Sequence, residues 1–201
     1  YILHIGKSEK FFNQFIPFIT REFNSFNHIF YLEGDWNKHI RIEEEISNIS
    51  RLKNLFSLVL SISSADKIVL HGMFSNVVIV LLICFPSSLS KAVLLPWGGD
   101  IYKNNSNSFA DILKRLFRRK FLKGIRFTSC AITGDVEFLK SVYSVELKNI
   151  FNPMYLSNVV EDPEYLSVGK KSTSKLNVMI GHSAFPINNH KSVFEKVKYD
   201  I

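Results

Sequence analysis

Four short stretches of this chain combine the residue types that bind and activate hydroxyl-bearing substrates. The first is His71-Gly72-Met73-Phe74-Ser75-Asn76. A histidine beside a glycine, where a strand ends, is a candidate general base or hydroxyl ligand; a lone histidine also fits a structural role. The second is Trp97-Gly98-Gly99-Asp100-Ile101-Tyr102. Its glycines let backbone approach a ligand, Asp100 can accept a proton or a hydrogen bond, and Trp97 and Tyr102 offer flat faces to a sugar ring. A tight turn with both aromatics packed on the core is the alternative. The third is Thr133-Gly134-Asp135 with Glu137, where Asp135 reads first as the cap of a following helix. The fourth is Gly181-His182-Ser183 with Asn188, Asn189 and His190, backbone donors at a loop–helix junction that suit a phosphate.

A fifth stretch is electrostatic. Lys114, Arg115, Arg118, Arg119, Lys120, Lys123 and Arg126 stand against Asp111 alone, interleaved with Leu113, Leu116, Phe117, Phe121 and Leu122. This composition suits a helix resting on anionic lipid or a lipid pyrophosphate. It equally describes a solvated basic face over a buried apolar stripe. Nucleic acid would use the same charges, but no nucleic-acid-binding motif surrounds them.

Other chemistries lack their signatures. There is no GxSxG elbow, no GxxxxGK[ST] loop and no GxGxxG. The 6 histidines form neither HxH nor HxxxH, so no metal site is expected. Cys84 and Cys130 sit in apolar runs without zinc or disulfide spacing, and are expected to be buried free thiols. Hydrophobic residues make up 46% and charged residues 21%, which excludes disorder for the bulk of the chain. The net charge of +7 favours phosphorylated, nucleic-acid or anionic-lipid partners without choosing among them. The longest apolar run, 77–85, is too short to span a bilayer.

The elements that must position these residues alternate. Apolar strands are expected at 1–5, 27–32, 67–70, 91–95, 127–133 and 148–151. Helical spacing is expected after Ser8 as a cap, with Pro17 kinking or splitting that helix, and again at 51–61, 76–84, 109–123 and 136–143. Glu43, Glu44 and Glu45 read as a solvated helix face. Strands alternating with helices imply parallel βαβ units, hence an α/β, doubly wound, mainly parallel Rossmann-like sheet. Ligands bind such sheets at the carboxyl ends of the strands, where His71-Gly72, 97–102 and 133–135 all fall. The organisation expected is an N-terminal domain at 1–154, a linker at 155–175, and at 176–201 the first strand, loop and helix of a second Rossmann-like domain, truncated at the end of the chain.

Taken in order, these motifs resemble glycosyltransferase family 56, bacterial enzymes that move a 4-acetamido-4,6-dideoxygalactose from a TDP-sugar to a lipid-linked oligosaccharide in enterobacterial common antigen synthesis. His71-Gly72-Met73-Phe74-Ser75 is similar to a family His-Gly-x-Phe-Asn, and Trp97-Gly98-Gly99-Asp100-Ile101-Tyr102 to Trp-Gly-Ala-Asp-Leu-Tyr. Arg118-Arg119 follows at similar spacing. Residues 133–138 resemble Arg-Gly-Asp-Leu-Ser-Phe, and 180–190 resemble Gly-Asn-Ser with a later Asn-Glu-His. Ser75, Gly99 and His182 depart from the pattern, and 1–66 match only in outline. The resemblance implies a GT-B fold and a metal-independent hexosyl transfer without a cofactor. The donor is a TDP-sugar, and the acceptor an undecaprenyl-pyrophosphate-linked saccharide at the cytoplasmic face of the inner membrane. It implies His71 or Asp100 at the acceptor hydroxyl. Gly72, Trp97, Gly98, Gly99, Tyr102 and Asp135 would line the acceptor, and Gly181, His182, Ser183 and Asn189 would meet the donor phosphates. Lys114, Arg115, Arg118 and Arg119 would face the membrane or the acceptor pyrophosphate. The alternative class is a non-catalytic sugar- or lipid-binding module, or a decayed remnant of a transferase. A nucleic-acid binder is the third.

Overall fold

The computed structural model describes residues 1–8, 11–34, 46–47, 52–97, 99–102, 108–130 and 133–151. The chain divides into two compact units, Tyr1–Val159 and Val160–Ile201, and every described residue belongs to the first. Gly98, Glu43 to Glu45, the expected linker and the second-domain residues Gly181, His182, Ser183 and Asn189 lie outside the described residues.

The order is β1 (Ile2–Lys7), α1 (Phe12–Glu22), β2 (His28–Glu33), β3 (Ile46–Ser47), α2 (Leu52–Ser64), β4 (Lys67–His71), α3 (Asn76–Cys84), α4 (Pro86–Lys91), β5 (Ala92–Leu95), α5 (Phe109–Gly124), β6 (Phe127–Ser129), α6 (Thr133–Tyr143) and β7 (Ile150–Phe151). These strands form one sheet in the order β3-β2-β1-β4-β5-β6-β7, with every pairing parallel. The alternation of strands and helices dictates this arrangement, because a parallel neighbour needs a crossover. The result is the α/β, doubly wound, Rossmann-like sheet expected of the sequence.

Two apolar layers sandwich the sheet. On one face Leu3, Ile5, Tyr31, Ile68, Leu70 and Leu94 share a core with Leu58 and Ile62 of α2, Val78, Ile79 and Leu82 of α3, and Phe121 and Leu122 of α5. On the other, Phe30 and Leu32 pack with Phe12 and Ile16 of α1, edged by Phe11 and Phe15. Side chains alternate across each strand, so one apolar run serves both layers.

Several local expectations are corrected. α1 is not split at Pro17, which lies on its exposed side, where the missing N–H costs one backbone bond. Ser8 is not its cap: the helix starts at Phe12 after an N-cap Phe11, and the Ser8 amide donates instead to the Glu33 carbonyl at 2.9 Å. The run at 127–133 is a strand only as far as Ser129, and α6 begins at Thr133, which puts Asp135 in its first turn rather than ahead of it. There its charge meets the positive end of the helix dipole. Cys130 is buried but Cys84, in the last turn of α3, is exposed. The sequence reading omits β3, which is two residues long, and α4, whose Pro86 opens a helix where it would otherwise mark a loop.

Phe12 is fully buried between α1 and the sheet, whereas Phe56 is exposed on α2. Phe12→Ala is expected to lower unfolding free energy by about 3–5 kcal/mol. Phe56→Ala should stay within about 0.5 kcal/mol. Urea denaturation of both variants checks the contrast.

Candidate functional site

The strand order reverses between β1 and β4, and that switch point is where an open parallel sheet presents its crevice. Register places the strand ends abreast: Gly6 opposite His71, and His71 opposite Leu95. Beyond them lies a cleft of about 330 Å³, including its part open to solvent. Ile5, Leu70, Val78, Ile79 and Phe121 form its apolar floor, and Gly6, Gly72, Met73, Phe74, Ser75 and Glu33 its rim. Two glycines make the rim possible. A Cβ on Gly6 would stand 2.9 Å from the Cβ of His71. Gly72 has φ +92, and a Cβ there would press to 2.5 Å from the Phe74 ring.

A buried carboxylate latches the loops around this cleft. Asp100 is 0% exposed. Its Oδ2 accepts the Met73 amide at 2.5 Å and its Oδ1 the Trp97 amide at 2.8 Å, so it ties the loop after β4 to the loop after β5. Arg118 of α5 closes the latch from the other side. One guanidinium nitrogen donates to the Met73 carbonyl at 2.9 Å, the other to the Asp100 carbonyl and the Tyr143 hydroxyl, both at 3.3 Å. Burial raises the Asp100 carboxyl above its ordinary range, opposed by the Met73 and Trp97 amides and by Arg118.

A second tie joins the same loop to α6. The Tyr102 hydroxyl donates to Asp135 Oδ1, and its ring lies 4.7 Å from that of Phe138. That hydrogen bond, with lesser burial and charge effects, pushes the Tyr102 hydroxyl up to about 12. Burial, with Asp135 and Asp100 nearby, pushes the Cys130 thiol up to about 11, which leaves it an unreactive thiol. Tyr102 keeps an exposed ring face, and Gly99 faces open space.

On the opposite face of the sheet three histidines from adjacent strands form a hydrogen-bonded row. His71 Nε2 and His4 Nδ1 are 3.1 Å apart, His4 Nε2 and His28 Nδ1 are 3.0 Å apart, and His28 Nε2 lies 3.3 Å from the Phe23 carbonyl. A carbonyl only accepts, so His28 carries its proton on Nε2. In the neutral chain this fixes the others: His4 and His71 also carry theirs on Nε2, and the Nδ1 atoms of His28 and His4 accept. Phe30 stacks on His4 with centroids 4.6 Å apart, and Phe12 and Phe15 meet His71 edge-on at 5.0 Å. Burial depresses His71 to about 3, and burial followed by the charges of its two neighbours depresses His4 well below 6.5. The rings link end to end, and among the described residues no group of His, Cys, Asp or Glu is arranged to hold a metal ion.

The structure thus brings together His71, Gly72, Trp97, Gly99, Asp100, Tyr102, Arg118 and Asp135 around the carboxyl ends of β4, β5 and β6. His71 and Asp100 are 1% and 0% exposed: Asp100 holds the rim through the Met73 amide, whereas the His71 side chain turns to the opposite face and bonds to His4. Arg118 turns inward, whereas Lys114 and Arg119 face solvent on α5 and Arg115 is half-buried. Sequence reasoning missed Glu33, the titratable side chain on the described rim, and the partners His4 and His28. A carboxylate at the last position of a strand next to the switch point is the signal for Glu33. A lone imidazole inside each of two apolar strands is the signal for the histidines.

Asp100→Asn sets its amide NH2 against either the Met73 or the Trp97 backbone donor, whichever way it flips. It should cost about 1–3 kcal/mol and speed amide hydrogen exchange at Met73 and Trp97. The histidines make a separate expectation. Folded His4 and His71 stay neutral while the unfolded rings protonate near 6.5. The unfolded chain therefore binds more protons below that pH. Stability is whole above about 6.5 and declines as pH falls toward about 3. Urea midpoints measured from about pH 8 down to about pH 4.5 should fall steadily below the upper value, and His71→Asn should flatten the slope.

Compared with known proteins, the chain matches no family model, no curated protein and no solved structure.

Proposed function

We propose that this chain is the acceptor-side part of a GT-B glycosyltransferase. It would move a 4-acetamido-4,6-dideoxyhexose from a TDP-sugar to an undecaprenyl-pyrophosphate-linked saccharide, in the synthesis of a cell-surface polysaccharide. The observation that carries the reading is the cleft at the β1/β4 switch point, lined by Gly72 to Ser75 of the first motif on which the family resemblance rests, with Asp100 of the second motif accepting the Met73 amide behind it. The open space around Gly99 supports it too, since the alanine of the resembled motif would fit there without displacement. In this reading the acceptor sugar lies on the rim against Phe74. Glu33 holds the attacking hydroxyl and takes its proton as the acceptor oxygen bonds to the anomeric carbon and TDP departs with the electron pair of the broken bond. Asp100 and Arg118 are positioning residues: they fix where Met73 and Trp97 stand. The donor would meet Gly181, His182, Ser183 and Asn189.

A second reading has its own observation. His71 and Asp100 are both sealed from solvent, which suits a sugar- or lipid-binding module without catalysis. One assay separates the two. Full-length protein is incubated with TDP-sugars and a lipid-linked saccharide, and glycolipid product is followed by mass. The transferase reading expects product, and a loss of about a hundredfold in turnover for Glu33→Gln with acceptor binding retained. Acceptor binding without turnover for any TDP-sugar would establish the module instead.

A further inference from the structure

We propose that the outer face of α5 is a docking surface for an anionic lipid bilayer, with the helix lying in the headgroup plane. The apolar residues between the cations of this helix do not form the buried stripe that their spacing suggests. Only Phe121 and Leu122 are buried. Phe109 is 82% exposed, Ile112 46%, Leu113 42%, Leu116 55% and Phe117 36%. At 3.6 residues per turn these five fall within an arc of about 140°. The helix thus turns a continuous apolar stripe outward, where a monomeric soluble protein ordinarily scatters such residues singly.

The charges around the stripe select its occupant. Lys114, Arg119, Lys120 and Lys123 are exposed and Arg115 is half-buried, while Asp111, the acid of the segment, is paired with Lys114 at 3.1 Å and accepts from the Ser108 hydroxyl at 2.7 Å. The outward face is therefore apolar over its first turns and cationic toward its end. A protein partner would favour fewer lysines at such a surface, and nucleic acid would not use five large apolar side chains. An anionic bilayer takes both: the rings and branched side chains enter the acyl boundary while the cations meet phosphates. No helix among the described residues is long and apolar enough to cross a membrane, so this contact is peripheral. The inward side of α5 carries Arg118, which grips Met73 and Asp100. A bilayer-seated α5 would hold the cleft rim at a fixed height above the headgroups. This inference rests on α5 alone and does not require the transferase reading.

Vesicle flotation tests it. Full-length protein is mixed with vesicles of phosphatidylcholine alone, or with about one third phosphatidylglycerol. Binding is expected to the anionic vesicles, at least about tenfold tighter than to neutral ones and weakened by salt. Leu113→Ser with Leu116→Ser should cut that binding by about tenfold, and Lys120→Gln with Lys123→Gln should remove the preference for anionic lipid. Both pairs are exposed, so unchanged urea midpoints would show that the fold is intact. Equal affinity for both vesicle types overturns the proposal. So does unaltered binding by the serine variant, a self-association that the serine variant abolishes, or binding to random duplex DNA in place of vesicles. Vesicle binding needs no sugar nucleotide, so a failed transferase assay leaves it standing.

Discussion

The organisation of the cleft depends on a carboxylate that water cannot reach. Removing Asp100 from solvent is costly unless its oxygens are satisfied, and the chain meets that condition with backbone rather than with a partner side chain. Each oxygen takes an amide from a different loop, so the cost of burial becomes a constraint on both loops. Arg118 then binds the carbonyls on the same segments with its planar fork, a geometry that a lysine could not reproduce. The strand ends fix where β4 and β5 stop; this latch fixes where the chain goes next. Gly72 is the consequence, because the turn that brings the Met73 amide onto Asp100 requires a positive φ.

The two faces of the sheet solve different problems within a few ångströms of each other. The face under α2, α3 and α5 is largely apolar and opens into the cleft. The face under α1 holds three imidazoles linked by hydrogen bonds that end at the Phe23 carbonyl, and burial keeps His4 and His71 neutral. Aromatic rings exclude water from the His4–His71 end of that row, which strengthens its hydrogen bond and makes a buried proton expensive. Gly6 is the meeting point. It lines the cleft and leaves room for His71 on the neighbouring strand, so widening one side would crowd the other.

Much of this was legible in the sequence, for reasons that can be named. β1, β4 and β5 are short apolar runs closed by Gly6, Gly72 and Pro96, which gave the parallel sheet and put 71–72 and 97–102 at its carboxyl edge. The use made of those residues was not legible. A Gly-Gly-Asp turn reads the same whether the aspartate faces a ligand or its own backbone, because burial is set by Met73 and Arg118, far away in the chain. The histidine row is invisible for the same reason: His4, His28 and His71 become neighbours only through strand register. Pro17 misled because a proline's cost depends on which side of the helix it occupies, and here that side is solvent.

The α5 helix shows how one element can be pulled in two directions. It packs against α3, α4 and α6, with Phe121 and Leu122 in the core and Arg118 in the latch. Its start is fixed locally, by the Ser108 side chain accepting the Asp111 amide and by the acid in the first turn. Neither set of contacts needs the five outward apolar residues. Folding alone would be served as well by polar residues there, which would cost less in solubility. A stripe that folding does not require, bordered by cations that it does not require either, points to selection by something outside the monomer. The latch gives that outside contact a consequence, since a force on α5 is passed through Arg118 directly to the loops that shape the cleft.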